Sequence, residues 1–494
     1  MGRRFYRDLV ILSLSSLFMR GAGVIWSGYL SRRMGAGAMG LHSVLMNLYG
    51  FAVTVAVAGI GLAVTRLVSE CEERGDRAGA FAVVRRSLCC SLASGGGTAL
   101  VLLLFARPFG GFLLGDASTV PLVRALALPV FTLPVSAVFT GYFAARRRAR
   151  INVVSGIAEL FLRIFFTLRL LSPAPSSDAD GVFRLLLGGG FAEALSAVLL
   201  ALFYLADRRR EKVSCGVGLT RRILAISVPI ALSGCLRAGL STLGHLLIPF
   251  SLCRSGMDRA AALASYGTLA GMALPVVLYP MAILSSGAAL LVPEFARLKA
   301  ADDRAGTVAL AKRSLFVTLA FSGGCFALLA AFADPVGRVL FDSGDAGRFI
   351  FYLAPVVPVM FLDHIADAAL KGIGEQVAVM WINIADSALT VLLILCLLPR
   401  FGIVGYILMI ALTEVFNFAL SLWRLMRKTG YRPALLRAVP PLLFALLCLL
   451  FSRAVLAGDV GSIPSLALGG AAGLSLYLLP FLLFRRRSKN APRP

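Results

Sequence analysis

Ionisable side chains lie inside stretches of this sequence that are otherwise apolar. Arg20 sits in "LFMRGAG" and Arg237 in "GCLRAGL"; Glu193 in "FAEALSAVLL" and Glu414 in "LTEVFNFALS"; Glu159 and Arg163 in "AELFLRIFF"; Asp386 in a further apolar run. Asp363, Asp367 and Lys371 recur at four-residue spacing with His364 beside them, which places the three on one helix face. A single Arg, Lys or Asp at the centre of a membrane helix costs about 2.5–3.5 kcal/mol. Several together rival the whole net stability of a domain, roughly 5–15 kcal/mol, so these groups must face one another or water. Two chemistries follow. Guanidinium groups match the paired oxygens of a diphosphate, which makes Arg20 and Arg237 candidate head-group ligands with Glu193 and Glu414 nearby. A carboxylate with a neighbouring His in a span suits an ion or proton relay, which singles out Asp363; Glu159, Arg163, Asp367 and Asp386 are the further candidates for ion coupling or for lining the cavity. A purely structural arrangement is also open, in which each Arg pairs with Glu193 or Glu414, Glu159 with Arg163, and Asp367 with Lys371, leaving Asp363 the freer carboxylate. His245, Asn152, Asn383 and Asn417 read as interhelical hydrogen-bond partners.

The elements that carry these groups are membrane helices. The chain has 494 residues, 59% hydrophobic and 15% charged, with a mean hydropathy of +0.86; soluble domains are about half apolar and a quarter charged. Stretches near the roughly 20 residues needed to cross a bilayer predict an all-α polytopic protein with fourteen spans: 9–31, 41–66, 87–106, 120–145, 151–171, 182–206, 223–250, 267–293, 313–333, 349–370, 377–398, 402–423, 438–457 and 464–484. Span 1 is too long for a cleaved signal core and is expected to stay in the mature protein. The net charge of +24 does not point to nucleic acid. With a cytoplasmic N-terminus, roughly two thirds of the Lys and Arg fall in loops and termini on that side, as the positive-inside rule requires. Runs such as "RRRAR" at 146 and "RRRSK" at 485 then anchor the topology beside anionic membrane lipids, with both termini in the cytoplasm. The nine cysteines show no spacing for a metal site or a disulfide framework.

The sequence also repeats. "DRAGAFAVVRRSL" at 76 and "DRAGTVALAKRSL" at 303 agree at eight of thirteen positions across a shift of 227 residues. Six spans separate them, so both loops lie on the same side. Spans 1–6 and 7–12 therefore read as two copies in the same orientation, related by an axis along the membrane normal. The expected organisation is a six-helix half at 1–206, a second at 223–437, and two further spans with a basic cytoplasmic tail at 438–494. The polar residues echo too: Arg20 and Arg237, Glu193 and Glu414, Glu159 and Asp386. Two half-bundles with matching polar interiors are the usual construction of a carrier that rocks about a midplane site. Asp76 and Asp303 are expected to cap a short helix bracing each half.

The stretch "GAMGLHSVLMNLYGFAVTVAVAGIGLAVTRLVSECEERGD" resembles the beginning of the polysaccharide exporter and stage V sporulation protein B group. That group lies in the superfamily that also holds multidrug and toxic-compound extruders and MurJ-type lipid II flippases. "FTGYFAARRRARINVVSGIAELFLRIFF" is similar to its span 4 to span 5 segment, and "SSGAALLVPEF" to its end of span 8. The resemblance covers nearly the whole chain, in order. It implies a flippase carrying a polyprenyl-diphosphate-linked saccharide from the cytoplasmic to the outer leaflet of a bacterial plasma membrane. Arg20 aligns with one cavity arginine of the MurJ-type members, whereas Trp26 and the residues after it depart from their pattern. No GxxxxGK[ST] signature occurs, so Na+ or H+ movement or the membrane potential is the expected energy source, with no cofactor. The rival is an ion-coupled drug or metabolite antiporter of the same fold. An enzyme acting on lipid-linked sugars is disfavoured, because the outward loops are too short for a catalytic domain.

Overall fold

A computed structural model describes residues 3–113, 119–207 and 218–431, with positions 443, 446, 447, 449 and 450 beyond them. No strand occurs among the described residues. Backbone N–H and C=O groups in hydrocarbon have no water to bond, so a helix, which satisfies its own ladder, is the element these apolar runs form. Among the described residues, eleven helices are long and apolar enough to cross a membrane, and expected spans 1–12 all lie on helical chain. Span 14, and span 13 apart from the five positions named, fall outside the described residues, as does the basic tail.

Two of the helices are more than twice the length a bilayer requires, Arg3–Val57 with 55 residues and Gln376–Thr429 with 54. Each breaks at a glycine of positive φ: Gly35 at φ 84, ψ 171 and Gly402 at φ 56, ψ −134. Glycine tolerates this region because it has no Cβ. The second break is a reversal. A Cβ placed on Gly405 would lie 2.6 Å from the Leu397 carbonyl oxygen, whereas eight residues of straight helix separate two positions by about 12 Å. Spans 1 and 2, and spans 11 and 12, are thus distinct segments.

By contacts the chain divides into two units, Met1–Met19 with Met34–Gly267 and Arg20–Arg33 with Thr268–Pro494. This differs from the division expected at 206 and 223. Span 7, on Leu219–Arg254, packs within the first unit: Arg222 pairs with Glu70 at 2.8 Å, and Thr242 donates to the Asn47 carbonyl at 3.1 Å. Residues Arg20–Arg33 of span 1 pack within the second. Ser27 donates to the Gly271 carbonyl at 2.6 Å, and the Arg32 guanidinium donates to the carbonyl of Val339.

The repeated DRAG segment does the same local work in both units. Asp76 caps Arg77–Leu104 by accepting from the Gly79 N–H at 2.7 Å, and Asp303 caps Arg304–Ala331 from the Gly306 N–H at 2.7 Å. The side-chain oxygen satisfies a donor left open in the first turn. The capped element is not the short separate helix expected; it runs 28 residues without interruption into the next span.

At one end of each unit an ionic clasp ties three elements together. In the first unit Asp207, ending Asp178–Asp207, accepts from Tyr142 at 2.8 Å, from Arg148 at 2.6 Å and from Arg146, and Arg146 also reaches Glu72 at 3.2 Å. Beneath it the Tyr142 ring meets Tyr204 edge-on at 5.1 Å in a buried cluster with Phe81. In the second unit Glu375 accepts from Arg424 at 2.5 Å and Lys428 at 2.7 Å, while Lys299 donates to the Ile373 carbonyl. The 227-residue shift carries Glu72 onto Lys299 and Arg148 onto Glu375. The 221-residue shift that carries Glu193 onto Glu414 carries Asp207 onto Lys428. The clasp is kept and its polarity is reversed.

Candidate functional site

The ionisable groups of the membrane helices fall into one cluster in each unit. In the first unit, Glu193 is 3% exposed on span 6 and accepts from the Ser136 hydroxyl of span 4 at 3.0 Å. Glu159 of span 5 is within electrostatic reach of Glu193, and Arg163, one turn further on, binds Glu159 at 2.6 Å. A Ser155–Ser196 hydrogen bond of 3.0 Å holds spans 5 and 6 in register beside them. Tyr49 feels the charges of Glu193, Arg163 and Glu159, and His42 that of Arg163. Arg163 is the open end of the cluster, with 44% of its side chain exposed against 25% for Glu159.

The second unit gathers carboxyls. Asp367 of span 10 is buried and receives Lys371 at 3.6 Å, Ser421 at 3.2 Å and, more weakly, Asn383 at 3.5 Å. Asp363, one turn before it, is also buried. Its Oδ1, with His364 Nε2, Asp386 Oδ1 and Asn417 Oδ1, has no hydrogen-bond partner among the described residues. Glu414 is within electrostatic reach of Asp363 and Asp386, and Arg20 of His364. Four carboxyls thus gather on spans 10, 11 and 12, at a depth where bare charges are costly. Among the described residues no three of His, Cys, Asp and Glu converge as metal ligands.

Arg20 and Arg237 do not make the ion pairs with Glu193 or Glu414 that were open from sequence. Both are exposed, neither has a hydrogen bond or ion pair among the described residues, and Arg20 belongs to one unit and Arg237 to the other. Arg20 adjoins an interruption of span 8 at Leu278–Pro280, since a Cβ on its neighbour Gly21 would lie 3.4 Å from the Tyr279 hydroxyl. His245 meets Tyr266 at 3.4 Å, and Asn152 donates to the Thr140 carbonyl at 3.1 Å, both as interhelical bridges.

Three members of the first cluster escaped the sequence reading: His42, Tyr49 and Ser136. His42 and Tyr49 are seven apart in "GLHSVLMNLYG", a spacing that returns to the same helix face. Ser136 carries no signal beyond being polar in an apolar span.

A sequence profile of the family described as "Polysaccharide biosynthesis protein" matches residues 5–299. Stage V sporulation protein B of Bacillus subtilis (strain 168) is 23% identical over 428 residues, 81% of this chain and 79% of that one. The lipid II flippase MurJ of the same organism is 23% identical over a shorter stretch of 176 residues, 34% of this chain and 32% of that one. Among solved structures, MurJ in an inward closed conformation matches with a TM-score of 0.72 at 13% identity, covering 97% of this chain and 100% of that one. An inward-facing multidrug resistance MATE family transporter of the MOP superfamily matches with a TM-score of 0.67 at 15% identity, covering 86% and 99%. At these identities the structural likeness speaks to the fold.

Proposed function

The chain belongs to the polysaccharide biosynthesis protein family, and from that premise we propose that it is an alternating-access flippase for a polyprenyl-diphosphate-linked saccharide. It takes this lipid from the cytoplasmic to the outer leaflet of the bacterial plasma membrane, with both termini in the cytoplasm. The observation that carries the reading is the pair Arg20 and Arg237. Each lies mid-helix in an apolar span, exposed and without an anionic partner among the described residues. An uncompensated guanidinium at that depth is retained at a cost of a few kcal/mol, which a diphosphate bound through paired N–H donors offsets. The prenyl tail stays in lipid, and the head group crosses in water, since bare charge in hydrocarbon is prohibitive. Carboxyls Asp363, Asp367, Asp386 and Glu414 are the coupling site for H+ or Na+, and the basic loops hold anionic lipid head groups.

The acidic second unit also supports an alternative, an ion-coupled antiporter of cationic drugs or metabolites, because its carboxyls attract cations. Depletion separates the two. In cells lacking other flippases of this family, loss of the chain should raise one lipid-linked precursor, measured by mass spectrometry. Wild type should rescue the defect, and Arg20→Ala or Arg237→Ala at equal expression should not. Unchanged precursor pools would leave the antiporter as the reading.

A further inference from the structure

Expected span 8, at 267–293, is interrupted near its middle. The helix stops at Val277 and restarts at Met281, because Pro280 has no N–H with which to continue the ladder. Tighter bonds take up the freed backbone groups: the Tyr279 N–H donates to the Val276 carbonyl, Met281 to Leu278 and Ala282 to Tyr279, all at 3.1–3.2 Å. Irregular backbone at membrane depth persists where protein buries it or where it lines a cavity. Span 2 is interrupted at the matching place. The 221-residue shift that carries the turn glycine Gly35 (φ 84) onto Gly256 (φ 96) also carries Ala58 and Gly59, both of positive φ, onto Tyr279 and Pro280. The break is common to both halves, but only the second half places a phenol there.

Tyr279 lies against span 1. A Cβ on Gly21 would be 3.4 Å from the phenol oxygen and 3.5 Å from Cε2 of the ring, so the ring edge rests on the helix at the residue after Arg20. Consecutive Cα atoms are about 3.8 Å apart, which puts the hydroxyl within roughly one extended side chain of the Arg20 backbone. Nearly two turns along, Ser27 donates to the Gly271 carbonyl at 2.6 Å and fixes the two helices against each other. Tyr279 is half-buried, and its hydroxyl has no hydrogen-bond partner among the described residues. An aromatic belt does not account for it, since belt tyrosines lie at the membrane surfaces and this one lies mid-span. An open O–H donor therefore stands beside the open guanidinium of Arg20.

We propose that Tyr279 is a head-group ligand that acts with Arg20: the guanidinium holds the diphosphate through paired N–H donors, and the phenol donates its O–H to a non-bridging oxygen of the same group. The inference rests on the flippase reading above and adds a residue to its site. A phenol is neutral, so it supplies a directed bond without adding to the charge that the empty site must carry in an apolar bundle.

The probe is a citronellyl-diphosphate-linked N-acetylglucosamine, titrated calorimetrically into the purified full chain in detergent. Tyr279→Phe keeps the ring over Gly21 and removes only the O–H. It should bind the probe roughly tenfold more weakly, or worse, with thermal unfolding unchanged. Citronellyl diphosphate, which lacks the sugar, should show the same loss. A loss confined to the sugar-bearing probe would overturn the assignment to phosphate. A Tyr279→Phe variant that binds as wild type does, or whose unfolding temperature falls by several degrees because the hydroxyl holds the fold, would overturn the inference and leave the flippase standing. No binding of either probe by wild type would overturn the flippase reading and this inference with it.

Discussion

In the proposed flippase each unit moves as a body, and the Asp207 clasp is where the first unit should be most sensitive. Its side chain is 11% exposed and holds Arg146, 15% exposed, together with Tyr142 and Arg148. A hydrogen bond to a charged group contributes about 1.5–3 kcal/mol when buried, which applies to Tyr142 and Arg146. Arg148 is half exposed, so its pair belongs on the surface scale of about 0.2–1 kcal/mol. Removing one partner of a buried pair costs about 3–5 kcal/mol, but Glu72 at 3.2 Å keeps part of the compensation of Arg146. Asp207→Ala should therefore cost about 2–4 kcal/mol and Asp207→Asn about half that, since the amide still accepts from Tyr142. At about 2–4 °C per kcal/mol for a unit of some 200 residues, thermal unfolding in detergent should fall by about 5–10 °C for the alanine variant. Arg148→Ala should shift it by less than about 2 °C. Equal losses for Arg148→Ala and Asp207→Ala, or no loss for Asp207→Ala, would refute the assignment of the clasp energy to the buried partners.

Three further outcomes are expected. Lys428, and after it Arg424, hold the Glu375 carboxyl below its usual value of 4.5; its stabilising contribution is complete above that value and lost as pH falls through the depressed one. Thermal stability of wild type should therefore drop in acid below about pH 4.5, and Glu375→Gln should flatten that limb while lowering stability at neutral pH. Gly402→Ala places a Cβ at φ 56, ψ −134, a strain of about 1–3 kcal/mol, and should reduce the yield of folded protein relative to the nearby control Val404→Ala. Asp363→Asn removes the carboxyl with an unpartnered oxygen and should abolish the dependence of transport on an imposed ion gradient while leaving probe binding intact, measured by transport and calorimetry side by side.

What could be read from the sequence was whatever is local or periodic. The apolar runs gave spans 1–12, and the Asp of "DRAG" at 76 and 303 announced two identical N-caps, because capping involves only the next three residues. The exchange of Arg20–Arg33 and Leu219–Arg254 between contact units was invisible, since it depends on which distant helices pack together. So was the clasp. A repeat found by identity passes over positions where the charge is inverted, and Glu72 with Lys299, Arg148 with Glu375 and Asp207 with Lys428 match only once their contacts are known. The Glu159–Arg163 pair was legible from four-residue spacing, but its electrostatic reach to Glu193 was not, because it crosses between spans 5 and 6.

The most direct measurement is head-group translocation in proteoliposomes. The purified chain is reconstituted with a short-chain polyprenyl-diphosphate-linked saccharide in the inner leaflet, and an impermeant sugar-modifying enzyme reports its arrival outside. Wild type should expose the saccharide many times faster than protein-free vesicles, and Arg20→Ala and Arg237→Ala should return the rate to the protein-free level while remaining folded. A wild-type rate equal to that of protein-free vesicles would contradict the flippase.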